Sequence, residues 1–391
     1  MKLLFPGSSC KKAIVVIATA TLLGIMSTVQ IRKAKFITAY PLLEPAVEQG
    51  GRRTPPRTTG RSKAEASKRC QHRLASLDWP KAGKKWHSGG WAVSQLCRQP
   101  LDTLFFVHSA PNNWKRRATL RATLFEEAAS AAFNWTGVFF IGEDDDHKVN
   151  PWTRLEAEVF GDIVMLRYKD TFYSLTYKFL GGMRWVTEHC PNVISIVKID
   201  DDVCVHPFHL RRYLDEKLPQ KNSSVHCNVL INNPVHRNPH HRYCVPEDEV
   251  AQDKYPLMCS GCCIIMTFDM MRKLLRASEI AKAYAIDDAY VSGHLALIAN
   301  VGHISINSNV NFGVSLNVTH MLEGAVIFVH ETSVYGNSVG RRVQWGLMLW
   351  MHIMQAPRRY TFQFSYRLSD KLYQYDFWGT RHALQKGLYL P

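Results

Sequence analysis

Asn192-Val193-Ile194-Ser195-Ile196-Val197-Lys198-Ile199 runs straight into Asp200-Asp201-Asp202. The apolar run reads as a buried strand, and the chain turns apolar again at Val203-Cys204-Val205. Carboxylates bracketed in this way are costly unless a cation or hydrogen bonds compensate them. A hard divalent cation takes oxygen ligands and leaves positions for substrate phosphates. Strand ends in an open α/β sheet are also where ligands bind. Asp200–Asp202 are therefore expected at a metal or a substrate, with a capped turn as the alternative. The chain supplies its own control in Asp144-Asp145-Asp146, which follows Val138-Phe139-Phe140-Ile141. There the sequence turns polar at once (His147, Lys148, Asn150), which suits a solvated loop.

Working outward, apolar runs alternate with longer amphipathic segments. Strands are predicted at Leu104–His108, Gly137–Ile141, Asp162–Tyr168 and Asn192–Ile199. Helices are predicted at Lys115–Ala132, Trp152–Val159 and Tyr173–Glu188. Beyond the triplet follow a helix at Pro207–Lys217, strands at Val225–Ile231 and Cys262–Thr267, and helices at Asp269–Ala283 and Ala289–Ala299. A last strand, Val326–Val329, ends at His330. This alternation predicts βαβ units and a mainly parallel sheet. The continuous apolar strands fit a sheet covered on both faces. Residues 232–256, rich in His, Asn and Pro, read as a substrate-facing loop. No G-x-G-x-x-G follows the first strand and no G-x-x-x-x-G-K-[ST] occurs, which disfavours dinucleotide and P-loop chemistry. Asp287-Asp288 opens a helix, and on spacing alone it reads as an acidic cap.

The flanks speak to location. Ala13–Ile31 is a 19-residue stretch without charge, set between Lys11-Lys12 and Arg32-Lys33. That length just spans a hydrocarbon core, and an uncleaved anchor is preferred over a signal peptide. Residues 1–12 would be a cytosolic tail, 13–31 the signal-anchor, 32–98 a stem and 99–391 a lumenal domain. The formal charge is +15, from 48 basic and 33 acidic residues. The first 98 residues hold 18 of the basic and 4 of the acidic ones, so the remainder is nearly neutral. The basic character thus belongs to a stem rich in Pro, Gly, Arg and Thr, which cannot bury enough apolar surface to fold. Nucleic acid is not an expected partner. Three glycosylation sequons begin at Asn134, Asn222 and Asn317. Nine of the ten cysteines lie beyond the expected span, which allows disulfides in an oxidising lumen. Cys259-x-x-Cys262 lacks a second ligand pair for zinc and reads as packing plus one ordinary disulfide.

Several ordered motifs resemble the β1,3-galactosyltransferase family (glycosyltransferase family 31). They are Arg116-Arg117-Ala118-Thr119-Leu120-Arg121, Phe139-Phe140-Ile141-Gly142, and Glu156 with Gly161-Asp162-Ile163, Asp170, Tyr173, Leu175-Thr176, Lys178 and Arg184-Trp185. Lys198-Ile199-Asp200-Asp201-Asp202, Tyr255-Pro256 with Ser260-Gly261, and Asp287-Asp288-Ala289-Tyr290-Val291 continue the order. Departures are Leu124 for Trp, Ser174 for Asn, Cys262-Cys263 for small residues and Asp287 for Glu. The resemblance implies an α/β fold of GT-A type, a Rossmann-like mainly parallel sheet preceded by a transmembrane helix and a flexible stem. It implies an inverting hexosyltransferase moving galactose or an N-acetylhexosamine from a UDP-sugar to a glycoprotein or glycolipid glycan. The expected location is the Golgi membrane, as a single-pass type II protein. Mn²⁺ would be held by Asp202, with Asp200 toward the ribose or the ion and His330 completing the shell. Arg117, Arg121, Asp170, Lys178, Asp201, Ser260 and Gly261 would line the UDP-sugar site. Asp288 would be the base, with Asp287 beside it. A non-catalytic sugar-binding protein or chaperone on the same fold is the alternative.

Overall fold

The structure is a computed structural model. It describes residues 95–144, 149–219, 223–312 and 326–330, and the backbone of three strands at 364–368, 371–375 and 381–383. The expected anchor at 13–31, most of the stem, Asn222 and Asn317 lie outside the described residues. Among the described residues, no helix is long and apolar enough to cross a membrane.

Seven strands form the central sheet in the order β3-β2-β1-β4-β7-β6-β8. Strands β1 (Leu101–His108), β2 (Trp135–Glu143), β3 (Ile163–Lys169) and β4 (Val193–Asp200) are mutually parallel. β7 (Met258–Thr267) runs antiparallel to both β4 and β6 (Ser224–Leu230), so β6 points the same way as β4. β8 (Gly302–Ser305) then pairs parallel with β6. The sheet is mixed, mostly parallel, and its central strands are buried on both sides: Phe106 and Phe140 face one core, Phe105 and Phe139 the other. That two-sided burial is why these strands are continuously apolar in sequence.

Helix α1 (Trp114–Arg121) and helix α2 (Glu127–Phe133) occupy the span predicted as one helix. The break falls at 122–126, where Glu126 caps α2 by accepting from the Ala129 amide. The helices α3 (Val149–Phe160) and α4 (Leu175–His189) complete the crossovers of the parallel strands. Ser174, the departure from Asn, accepts from the Thr171 amide and so serves the turn that opens α4. Helix α5 (Pro207–Glu216) follows β5 (Val203–Val205), and α6 (Phe268–Ala277) follows β7 and ends earlier than predicted. Beyond it, Asp288–Leu295 winds as a π-helix rather than an α-helix.

A small second sheet sets β10 (Phe328–His330) between β5 and β9 (Val310–Asn311). Its His330↔Val203 register brings His330 back to the end of β4 from far along the chain. Disulfides join Cys97 to Cys190 and Cys227 to Cys259. Cys262 is a buried thiol. Of the sequons, Asn134 is described: it ends α2 in the left-handed region at φ 50°, and its amide donates to Asp102 Oδ1 at 3.0 Å.

Candidate active site

Four parallel strands deliver their C-terminal ends to one edge of the sheet, at Ser109, Asp144, Asp170 and Asp200. β1 and β4 pair so that His108 lies opposite Asp200. This edge is where an open α/β sheet leaves room for a ligand.

The three carboxylates of the triplet do different work. Asp201 turns inward and is almost fully buried. Its Oδ2 accepts from Ser109 Oγ at 2.7 Å and Asn113 Nδ2 at 2.8 Å, and its Oδ1 accepts from Arg116 at 2.8 Å. It was expected to line the substrate site, but these bonds commit it to holding the loop after β1. Asp200 and Asp202 stay half-buried, and with His330 they place one ligand atom each within 4.8 Å of one another. Two carboxylate oxygens and one imidazole nitrogen form a donor set that suits Mn²⁺ or a similar divalent ion. Asp202 Oδ1 lies 3.2 Å from His330 Nε2, and its Oδ2 accepts from Arg116 at 3.1 Å. Burial alone would raise the Asp202 pKa, but His330 and Arg116 overcome it and hold the carboxyl below its usual value. Burial likewise opposes charge on His330, and Asp202 reverses the sign, raising the imidazole.

Across the edge lies the second acidic pair. Asp288 sits at the start of the π-helix, and its Oδ2 accepts from the Gly261 amide at 2.9 Å. Asp287 stands at the cap position that spacing suggests but makes no side-chain capping bond, and the Asp288 carboxylate goes to the Gly261 amide instead. Burial, and then the mutual charge of the pair, push the Asp288 pKa well up; burial does the same to Asp287. Lys198 spans the two halves of the site. Its fully buried ammonium donates to Asp200 Oδ1 at 2.7 Å and to the Gly261 carbonyl. Burial opposes its charge, yet Asp200, Asp287 and Asp288 win and raise its pKa.

Gly261 is required by close approach. A Cβ there would lie 1.7 Å from Asp288 Oδ1 and 2.4 Å from its Cγ. Gly261→Ala is expected to expel the Asp288 carboxylate and remove its amide bond. The measurement is a crystal structure beside thermal melting: the Asp288 carboxylate should move off the Gly261 amide, with the domain still folded. A folded Gly261→Ala protein that keeps this bond would contradict the placement.

Arg117 and Arg121 are committed to carboxylates, contrary to the expected role at phosphate. Arg117 is fully buried and makes a two-pronged pair with Glu156 at 2.9 and 2.6 Å. Arg121 binds Glu156 at 2.6 Å and Asp162 at 2.7 Å. The neighbour, Arg116, is the one that reaches the triplet. Asp170 and Lys178 pair with each other at 2.9 Å; Asp170 also accepts from the Gly142 amide, and Lys178 donates to the Ser109 carbonyl. They brace the ends of β1, β2 and β3. Ser260 lies half-buried on β7, its hydroxyl 3.7 Å from Cys262 Sγ.

Sequence reading gave no site role to Arg116, Asn113 or His108. His108 is buried, its Nδ1 is 3.9 Å from Asp287, and its Nε2 has no partner among the described residues. Burial, then Lys198 and Lys178, keep it neutral. Its place at the end of the predicted strand Leu104–His108 was the signal available for it.

Residues 115–307 match the family model described as Galactosyltransferase. A human N-acetyllactosaminide β-1,3-N-acetylglucosaminyltransferase 3 is 30% identical over 207 residues, covering 51% of this chain and 55% of that protein. Human β-1,3-galactosyltransferase 2 is 26% identical over 208 residues, covering 52% and 49%. The chain spans about half the length of the curated relatives it matches. A galactosyltransferase solved with donor and acceptor sugar analogues (LgtC) overlays 66% of this chain and 99% of its own at 9% identity, with a TM-score of 0.32. The ordered motifs and the matched segment agree: residues 115–307 of the chain carry a galactosyltransferase-family domain.

Proposed function

We propose that this protein is an inverting β1,3-hexosyltransferase, taking galactose or an N-acetylhexosamine from a UDP-sugar to a glycan acceptor. The observation that carries the reading is the pairing of two sites on one sheet edge: Asp200, Asp202 and His330 on one side, Asp288 on the other. Mn²⁺ fits the first set by donor chemistry, and when bound it would neutralise charge on the departing diphosphate. Arg116 and Lys198 supply fixed positive charge beside it.

Asp288 suits the base. Its raised pKa makes its ionised form a stronger proton acceptor than an ordinary carboxylate. It takes the proton of an acceptor hydroxyl as that oxygen attacks the anomeric carbon. The bond to the UDP oxygen breaks on the opposite face, and UDP leaves with the electron pair. The Gly261 amide aims the carboxylate. Disulfides among the described residues support a lumenal setting, and the Golgi type II arrangement completes the proposal through the apolar stretch at 13–31.

Titration of the protein with UDP, with and without Mn²⁺, tests the reading. Binding is expected to need the metal, and Asp202→Ala should weaken it by roughly ten- to hundred-fold or more, since even outer-shell changes cost that much. Equal UDP affinity in wild type and Asp202→Ala, with Mn²⁺ present, would refute the metal assignment. Sugar binding without UDP binding would favour a non-catalytic protein on this fold.

A further inference from the structure

The loop between β6 and β7 does more than connect them. β6 points the same way as β4, so residues 231–257 leave from and return to the edge that carries Asp200. The segment after β3 reaches the same edge. These two stretches, about 70 residues apart in sequence, meet through rings. Phe172 and Tyr243 lie 5.6 Å apart, and the Arg242 guanidinium stacks 3.9 Å from the centre of Phe172. His236 and His241 stack at 3.8 Å, and His241 stands 5.6 Å from Tyr243.

This group is not a piece of the core. Tyr243 is 43% exposed, Arg242 is exposed, and neither histidine is fully buried. Nor is it needed to hold the loop. Arg237 already donates to the carbonyls of Val245, Val250 and Gln252, and backbone bridges tie Pro234 to Lys254 and His236 to Cys244. The exposed Tyr243 ring, fixed by a loop that is clamped elsewhere, lies beside a guanidinium that stacks on the half-buried Phe172 ring, so that aromatic and polar surface meet at one place. A pyranose matches such a surface: its C–H face packs on a ring and its hydroxyl rim reaches donors. A phosphate-bearing ligand matches it poorly, because Glu247, Asp248 and Glu249 follow closely, Arg242 is the one lysine or arginine in the ring group, and Arg237 is already spent on backbone carbonyls.

We propose that Phe172, Arg242 and Tyr243 form a binding platform for a neutral oligosaccharide, the acceptor strand of the transfer reaction. The inference rests on the transferase reading. The platform takes sugar residues beyond the one that accepts, and so selects chains over single sugars.

The test uses the full chain and three probes, chitobiose, lactose and N-acetyllactosamine, observed by saturation-transfer NMR with UDP and Mn²⁺ present. UDP affinity is measured in parallel. At least one disaccharide should receive saturation on its C–H protons. Tyr243→Ala should weaken that disaccharide by roughly ten-fold, the scale of one aromatic contact. Tyr243→Phe, which keeps the ring, should retain it, and UDP affinity should stay unchanged in both. Sugar binding that survives both Tyr243→Ala and Phe172→Ala overturns the platform. So does a wild-type protein that binds UDP but none of the three sugars. Loss of UDP affinity in Tyr243→Ala would assign the rings to the nucleotide instead. If disaccharide binding depends on Tyr243 while UDP never binds, the platform stands and the transferase reading falls.

Discussion

Asp288→Asn should bind UDP as the wild type does and transfer sugar about 10²- to 10⁴-fold more slowly, the usual worth of a positioned base. The substitution keeps the shape of the side chain and one oxygen for the Gly261 amide, so the fold is not at stake. It removes what the proposed mechanism asks of this side chain, an ionisable oxygen that can take a proton. The sign of the pH dependence follows from the same burial. A base works only when ionised, and burial with Asp287 raises the Asp288 pKa. Transfer by the wild type should therefore decline on acidification from a pH above the ordinary carboxylate range, and level off on the alkaline side. The residual rate of Asp288→Asn should lose that acidic limb. Wild-type kcat in Asp288→Asn, or an unchanged limb, would move the base elsewhere; Asp287, beside His108, would be the next residue to test.

The two acidic groups differed in how far sequence could reveal them. Asp200–Asp202 stood out because apolar residues bracket them, and a buried strand ending in charge has few explanations. Which of the three turns inward was not legible: that depends on Ser109, Asn113 and Arg116, which arrive from β1 and α1. Asp287-Asp288 looked like a cap, because local spacing cannot distinguish an α-helical start from a π-helical one. Only the order of motifs singled them out. The adjacent arginines 116 and 117 show the limit most clearly. Neighbours on a helix point about 100° apart, so one reaches the triplet while the other is buried. Sequence offered Arg117 for phosphate, whereas the carboxylate of Glu156, set on a helix some forty residues later, claims it first. His330 was readable as a strand end, but its approach to Asp202 depends on the register of β10 against β5.

That buried claim on Arg117 sets the largest expected loss of stability. Glu156 is fully buried and faces both Arg117 and Arg121. Burial alone would raise its pKa; the two guanidiniums overcome this and hold it below the usual carboxylate value. Glu156→Ala leaves two guanidiniums short of their partner, one of them with no access to water. Breaking a buried pair from one side costs about 3–5 kcal/mol, or roughly 10 °C in melting temperature for a domain of this size. The damage should not stop at stability. Arg117 also donates to Ser109 Oγ, and Ser109 donates to Asp201. Slack in that chain loosens the turn that carries Asp200 and Asp202. A folded fraction of Glu156→Ala at low temperature should thus need more Mn²⁺ to bind UDP than the wild type does. Because the folded Glu156 pKa is depressed, the wild type's advantage is present above the unfolded value of about 4 and fades as pH falls through the folded one. Calorimetry at neutral pH and again in acid reads this directly: a melting gap between the two proteins that narrows in acid is the expected result. A Glu156→Ala protein as stable as wild type at neutral pH would mean the pair contributes nothing to the fold.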